Sequence, residues 1–220
     1  MGDLITQVLP LALGSAISPT MLGVALLILA GSEHPRSRGL FFALGGTAVL
    51  VIVGAVVLSI GTKTVQSGAK HEDTVTAVAD LVLGVLLLAL AARELTHRGP
   101  AKQRKPHPQT RGLHAGRFFA YGLAIMTINF STLVLYIDAV KEVAHAGVSD
   151  ASRVLVTAML IAFAILPALG PVIAYAIAPV PAARELGKLN GFVTRHARAI
   201  GGGLCLVFGA YLIIKGAAAL

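Results

Sequence analysis

Apolar residues in this chain fall into six long runs, Leu4–Ala30, Gly39–Ile60, Thr74–Ala92, Phe118–Val140, Val154–Ala178 and Ala199–Ile214, separated by segments rich in Gly, Ser, Pro and charge. About 20 helical residues cross the hydrocarbon core of a bilayer, and only a helix or a closed barrel satisfies its own backbone there. The pattern therefore predicts an all-α integral membrane protein with six transmembrane helices. The breaks fall at Gly31–Arg36, Thr62–Asp73, Arg98–Arg111, Lys141–Arg153 and Pro179–Arg198, all of which read as loops.

Composition agrees with this reading. Hydrophobic residues make up 56% of the 220 and charged residues 13%, where a soluble domain carries roughly a quarter charged. The first run follows Met1-Gly-Asp-Leu, with no basic n-region and no A-x-A-like cleavage site, so a retained helix is expected rather than a signal peptide. Cys205 is the single cysteine, which excludes an intramolecular disulfide or a C-x-x-C redox pair.

The net charge of +8 adds orientation. With the N-terminus outside, 13 of the 18 Lys and Arg residues fall in the three inner loops, including Arg36, Arg38, Arg93, Arg98, Arg117, Arg184 and Arg198, against five outside: Lys63, Lys70, Lys141, Arg153 and Lys215. The excess of basic residues belongs on the cytoplasmic side, so the expected topology is N-out, C-out in a bacterial inner membrane. Basic residues beside spans suit an anionic leaflet, so membrane lipids and not nucleic acid are the expected partners. The stretch Arg98-Gly-Pro-Ala-Lys-Gln-Arg-Lys-Pro-His-Pro reads as a flexible linker over residues 98–113, between halves 1–97 and 114–220.

Three spans on each side of the linker put the second half upside down relative to the first, an inverted repeat. A short echo accompanies it. Ala16-Ile17-Ser18-Pro19-Thr20-Met21-Leu22 resembles Thr127-Ile128-Asn129-Phe130-Ser131-Thr132-Leu133, each midway along its span. Both polar segments should reach the bilayer midplane and meet there.

These segments hold the first candidate pathway residues. Ser15, Ser18, Pro19 and Thr20 combine hydroxyls with a residue that removes a backbone donor, which is either a packed proline kink or a functional break. Asn129, Ser131 and Thr132 are either interhelical glue or a substrate contact. Asp80, six residues into the third run, is either an intramembrane ion or proton site or the point where the lipid-buried part begins. Asp138, near the outer end of the fourth run, reads better as a solvated helix end. Pro167, Gly170 and Pro171 should bend or open the fifth run as a hinge. Gly45-Gly46 and Gly201-Gly202-Gly203 suit close helix contact. The seven histidines fall in loops or at span ends without metal-ligand spacing, and no nucleotide, hydrolase or dinucleotide motif is present. No metal, cofactor or catalytic activity is expected.

Leu13-Gly-Ser-Ala-Ile-Ser-Pro-Thr-Met-Leu22, followed by Arg38-Gly-Leu-Phe-Phe-Ala-Leu-Gly-Gly46, resembles the GAP family of the LysE transporter superfamily, the peptidoglycolipid- or sulfolipid-addressing proteins of actinobacteria. The resemblance covers the whole chain. It implies movement of cell-envelope glycolipids across or out of the inner membrane, with a glycolipid as candidate substrate; a larger export complex and a homo-oligomer are separate candidate associations. Superfamily relatives instead export cations or basic amino acids, which keeps open a small-solute exporter using Asp80. A scaffold acting through the basic linker is the third alternative. Many superfamily members have an Asn-Pro pair in span four; here Phe130 follows Asn129, which argues against a sharp break there.

Overall fold

A computed structural model describes residues 2–31, 34–66, 72–96 and 115–218. Eight helices make it up: α1 Gly2–Ala16, α2 Pro19–Gly31, α3 Pro35–Gln66, α4 Glu72–Thr96, α5 Ala115–Thr127, α6 Phe130–His145, α7 Asp150–Ile177 and α8 Pro179–Ala218. No strand occurs among the described residues. The basic linker, with Arg98, Lys102, Arg104, Lys105 and Arg111, lies outside them, as do Lys70, His71, His97, His107 and His114.

Among the described residues, three helices are long and apolar enough to cross a membrane: α3 over Pro35–Thr62, α7, and α8 over Arg195–Ala218. The pairs α1–α2 and α5–α6 raise the number to five if each bent pair is one span. The protein is thus a multi-pass, all-helical membrane protein. The third apolar run is α4, which holds Asp80, Arg93 and Glu94 and has a shorter uninterrupted apolar stretch than the other three.

Two further differences from the sequence pattern matter. The first and fourth runs are each two helices, bent by 46° between α1 and α2 and by 74° between α5 and α6. The segment Pro179–Arg198, expected as a loop, is the opening half of the 40-residue α8. Pro179 and Pro181 occupy its first turn, where a missing N–H costs nothing. Beyond them Leu186, Leu189 and Val193 recur at helical spacing on the side that faces a cavity. Lys188 pairs with Glu185 at 2.7 Å, one turn apart. Charge in this segment marks an amphipathic helix, not a loop.

Lengths and breaks recur in order across the two halves. Each begins with two short helices separated by two residues, Ile17-Ser18 in one and Ile128-Asn129 in the other, and then continues through two longer helices. α1 packs on α6, α2 on α7, α3 on α5 and α7, and α4 along α8. Where α3 meets α5 the backbones touch: a Cβ on Gly45 would collide with the Phe119 carbonyl, and one on Gly122 with the Phe42 carbonyl. Without a hydrophobic drive between helices in lipid, such close approach supplies the packing energy. Gly202 also faces a neighbour, Leu95, while Gly201 and Gly203 face open space. Tyr136, fully buried in α6, donates its hydroxyl to the Leu50 carbonyl at 2.9 Å and so ties α6 to α3.

Candidate functional site

Proline at the first position of α2 has no N–H to orphan, and it disfavours helix for the residue before it, so α1 stops and α2 starts around Ser18. The Ser18 hydroxyl accepts from the Met21 N–H at 3.3 Å and caps α2. Ser15 donates back to the Ala12 carbonyl at 2.8 Å. The second break has no proline, yet it is the sharper one. Asn129 leaves the helical region, with φ −86° and ψ 67°, and its side chain is spent sideways. Its amide nitrogen donates to Ser18 Oγ at 2.8 Å and to Thr132 Oγ1 at 3.0 Å, while Ser131 donates to its carbonyl oxygen at 3.3 Å. A proline forces a break by deleting a donor; here hydrogen bonds across and beside the break hold Asn129 out of helix instead. That corrects the expectation of a smoother span four.

The two polar segments therefore meet. Ser15, Ser18, Asn129 and Thr132 are buried, and Ser131 is half-buried. Pro19 is half-buried and Thr20 points outward from the bundle, outside this network. The Asn129 side chain uses both N–H groups and its oxygen within the network. It works as a latch between the breaks, with little polarity left over for a solute.

Beside this latch opens a cavity of about 440 Å³. Its walls are Ile17, Ser18, Pro19 and Leu22 at the first break, Leu166, Pro167, Gly170 and Pro171 on α7, and Leu186, Leu189, Val193 and Ile200 on α8. Ser18 is the one hydroxyl in that lining, and its oxygen is already engaged. α7 runs continuously through Pro167 and Pro171, so the helix is not opened there; the sequence Pro-x-x-Gly-Pro gives the cavity a wall low in side-chain bulk. The space suits a hydrocarbon chain.

Asp80 and Asp138 lie elsewhere, at the end of the bundle where α4, α6 and α8 converge. Both are buried, and the expectation of a solvated Asp138 is overturned. Lys141 pairs with Asp80 Oδ1 and stands 3.7 Å from Asp138. Lys215 reaches Asp80 Oδ2 at 3.2 Å, Asp138 Oδ1 at 3.4 Å and Glu142 at 2.5 Å. Lys141, Glu142 and Lys215 are absent from the sequence-derived site residues. An aspartate within an apolar run needs a partner, and all four of its neighbours lie near span ends on the same expected face; that was the available signal.

A family model described as Sap, sulfolipid-1-addressing protein, matches residues 8–218. No curated protein and no solved structure matches the chain.

Proposed function

Given that the chain belongs to the sulfolipid-1-addressing protein family, we propose that it moves an envelope glycolipid across or out of the bacterial inner membrane, as a transporter or as the membrane-embedded part of a larger exporter. The observation that carries this reading is the apolar cavity at the α1–α2 break. A closed polar pocket would suit a solute, whereas these walls offer an acyl chain its own kind of surface. Basic residues on the α8 stretch that borders the cavity, Lys188, Arg195 and Arg198, lie where an anionic headgroup would be drawn.

Six spans complete the architecture, with α4 as the third, arranged as two inverted halves, N-out and C-out. The matching order of helices and the paired breaks support this arrangement. The function is transport, not catalysis, with membrane lipids as partners, no nucleic acid, and a second copy of the chain as a further candidate partner. Export of a cation through Asp80 is less well supported, because both of its carboxylate oxygens face lysines.

Gly170 tests the reading. A side chain there meets open space, so Gly170→Phe should fill the cavity and leave the helices in place. In a deletion strain complemented with this variant, the surface glycolipid profile is expected to match that of the deletion, with protein abundance unchanged. A profile equal to wild type would refute the lipid path.

A further inference from the structure

Counting charges around Asp138 exposes an imbalance. α4 contributes Asp80, α8 contributes Lys215, and α6 contributes Asp138, Lys141 and Glu142. Among the described residues no ion pair links Asp138 to α1, α3, α5 or α7. Among the described residues, three carboxylates thus share two ammonium groups. Asp138 is completely buried, and its Oδ2 has no hydrogen-bond partner. An unneutralised carboxylate in low dielectric costs several kcal/mol, so something must offset it.

A metal ion fits poorly. A hard cation needs several oxygens at once, but both Asp80 oxygens, Asp138 Oδ1 and Glu142 Oε1 already face ammonium groups. Of the cluster's carboxylate oxygens only Asp138 Oδ2 is both buried and without a partner, and one oxygen is what a proton requires. No group of three metal-binding side chains occurs among the described residues. Position supplies a route: Glu142 and Lys215, near the ends of α6 and α8, keep about a quarter of their side-chain surface open, at 23% and 27%, while Asp138 has none.

We propose that Asp138 is a reversible proton-binding site. A proton from solvent enters past Glu142 and Lys215 and bonds to Oδ2. The cluster then holds two carboxylates and two ammonium groups, and the grip of Asp138 on Lys215 of α8 weakens. Release of the proton restores that grip. Because Lys215 bridges α6, α4 and α8, proton occupancy is coupled to the packing of α6 against the α4–α8 pair. The site gives the protein a means of drawing on a proton gradient. It is independent of what fills the cavity near Ser18.

Difference infrared spectroscopy on the full chain in lipid nanodiscs reads the proton directly, with no transport assay. Wild type is expected to show a protonated-carboxyl C=O band that titrates with pH and shifts on ¹³C-aspartate labelling but not on ¹³C-glutamate labelling. Asp138→Asn should abolish the band, while Glu142→Gln, which removes one of the three negative charges, should keep an aspartate band and move its titration to lower pH. Absence of a titrating band in the wild type, a band that responds to glutamate labelling, or one set by sodium and not by pH would each overturn the proposal. If Asp138→Asn does not fold, Asp138→Glu decides the matter, because the band should then lose its response to ¹³C-aspartate and respond to ¹³C-glutamate instead. A positive result alongside an unchanged lipid profile for Gly170→Phe would separate failure of the lipid reading from failure of this one.

Discussion

Asn129 shows how much one side chain decides in an apolar setting. In water its three hydrogen bonds would be exchanged for solvent at little net gain; within a bundle, removing it leaves Ser18 and Thr132 short of a donor at a cost of about 1–2 kcal/mol. Asn129→Leu is therefore expected to lower thermal stability in detergent by an amount of that order and to reduce surface glycolipid strongly, because the 74° bend loses its latch. Ser18→Ala should be milder, since the Pro19 break persists. Equal, negligible effects of both on lipid export would detach the latch from function. The residue types at this site were legible in the chain, because a proline and an asparagine among apolar neighbours stand out. Their bonding was not, since Ser18 and Asn129 are 111 residues apart. Asp138 was misread for a related reason: its partners Lys141 and Lys215 sit at span ends, where a lysine is ordinarily solvated.

At the scale of elements, small residues determine which helices meet. Gly45 and Gly122 allow α3 and α5 to approach to backbone contact, and Gly84 and Gly209 serve α4 and α8 in the same way. Gly45→Leu should cost about 1–3 kcal/mol or more, since the Phe119 carbonyl belongs to the backbone and cannot swing aside. Gly203→Ala, which meets open space, should be nearly silent. Thermal melts of the purified protein in one detergent distinguish the two, and equal melting temperatures would contradict the packing argument. The Gly45-Gly46 pair was visible in the pattern as a contact; Gly84, Gly122 and Gly209 were not, because a lone glycine in an apolar run reads the same whether it faces lipid or a helix. The amphipathic opening of α8 was hidden in a similar way, its charges reading as loop until Leu186, Leu189 and Val193 were seen to line one wall.

For the whole molecule, the two broken pairs decide how many times the chain crosses the membrane. If α5–α6 is a single crossing, a cysteine at Gly147, which meets open space, and one at Gln103 in the linker lie on opposite sides. In a Cys205→Ser background a membrane-impermeant thiol reagent added to intact cells should label Gly147→Cys and leave Gln103→Cys unlabelled until the membrane is opened. Labelling of both from outside would make α5–α6 a re-entrant loop and undo the N-out, six-span arrangement. By itself the sequence determined that the chain is helical and membrane-embedded, because run length and charge exclusion follow from the bilayer's thickness and low dielectric. It also set the positions of polarity along the apolar runs. Tertiary structure alone decided that Ser18 and Asn129 form one latch, that the cavity beside it is lined by apolar side chains from α7 and α8, and that Asp138 is buried among too few counter-charges. Each of these depends on which faces of distant helices come together, and hydropathy along the chain carries no information about that.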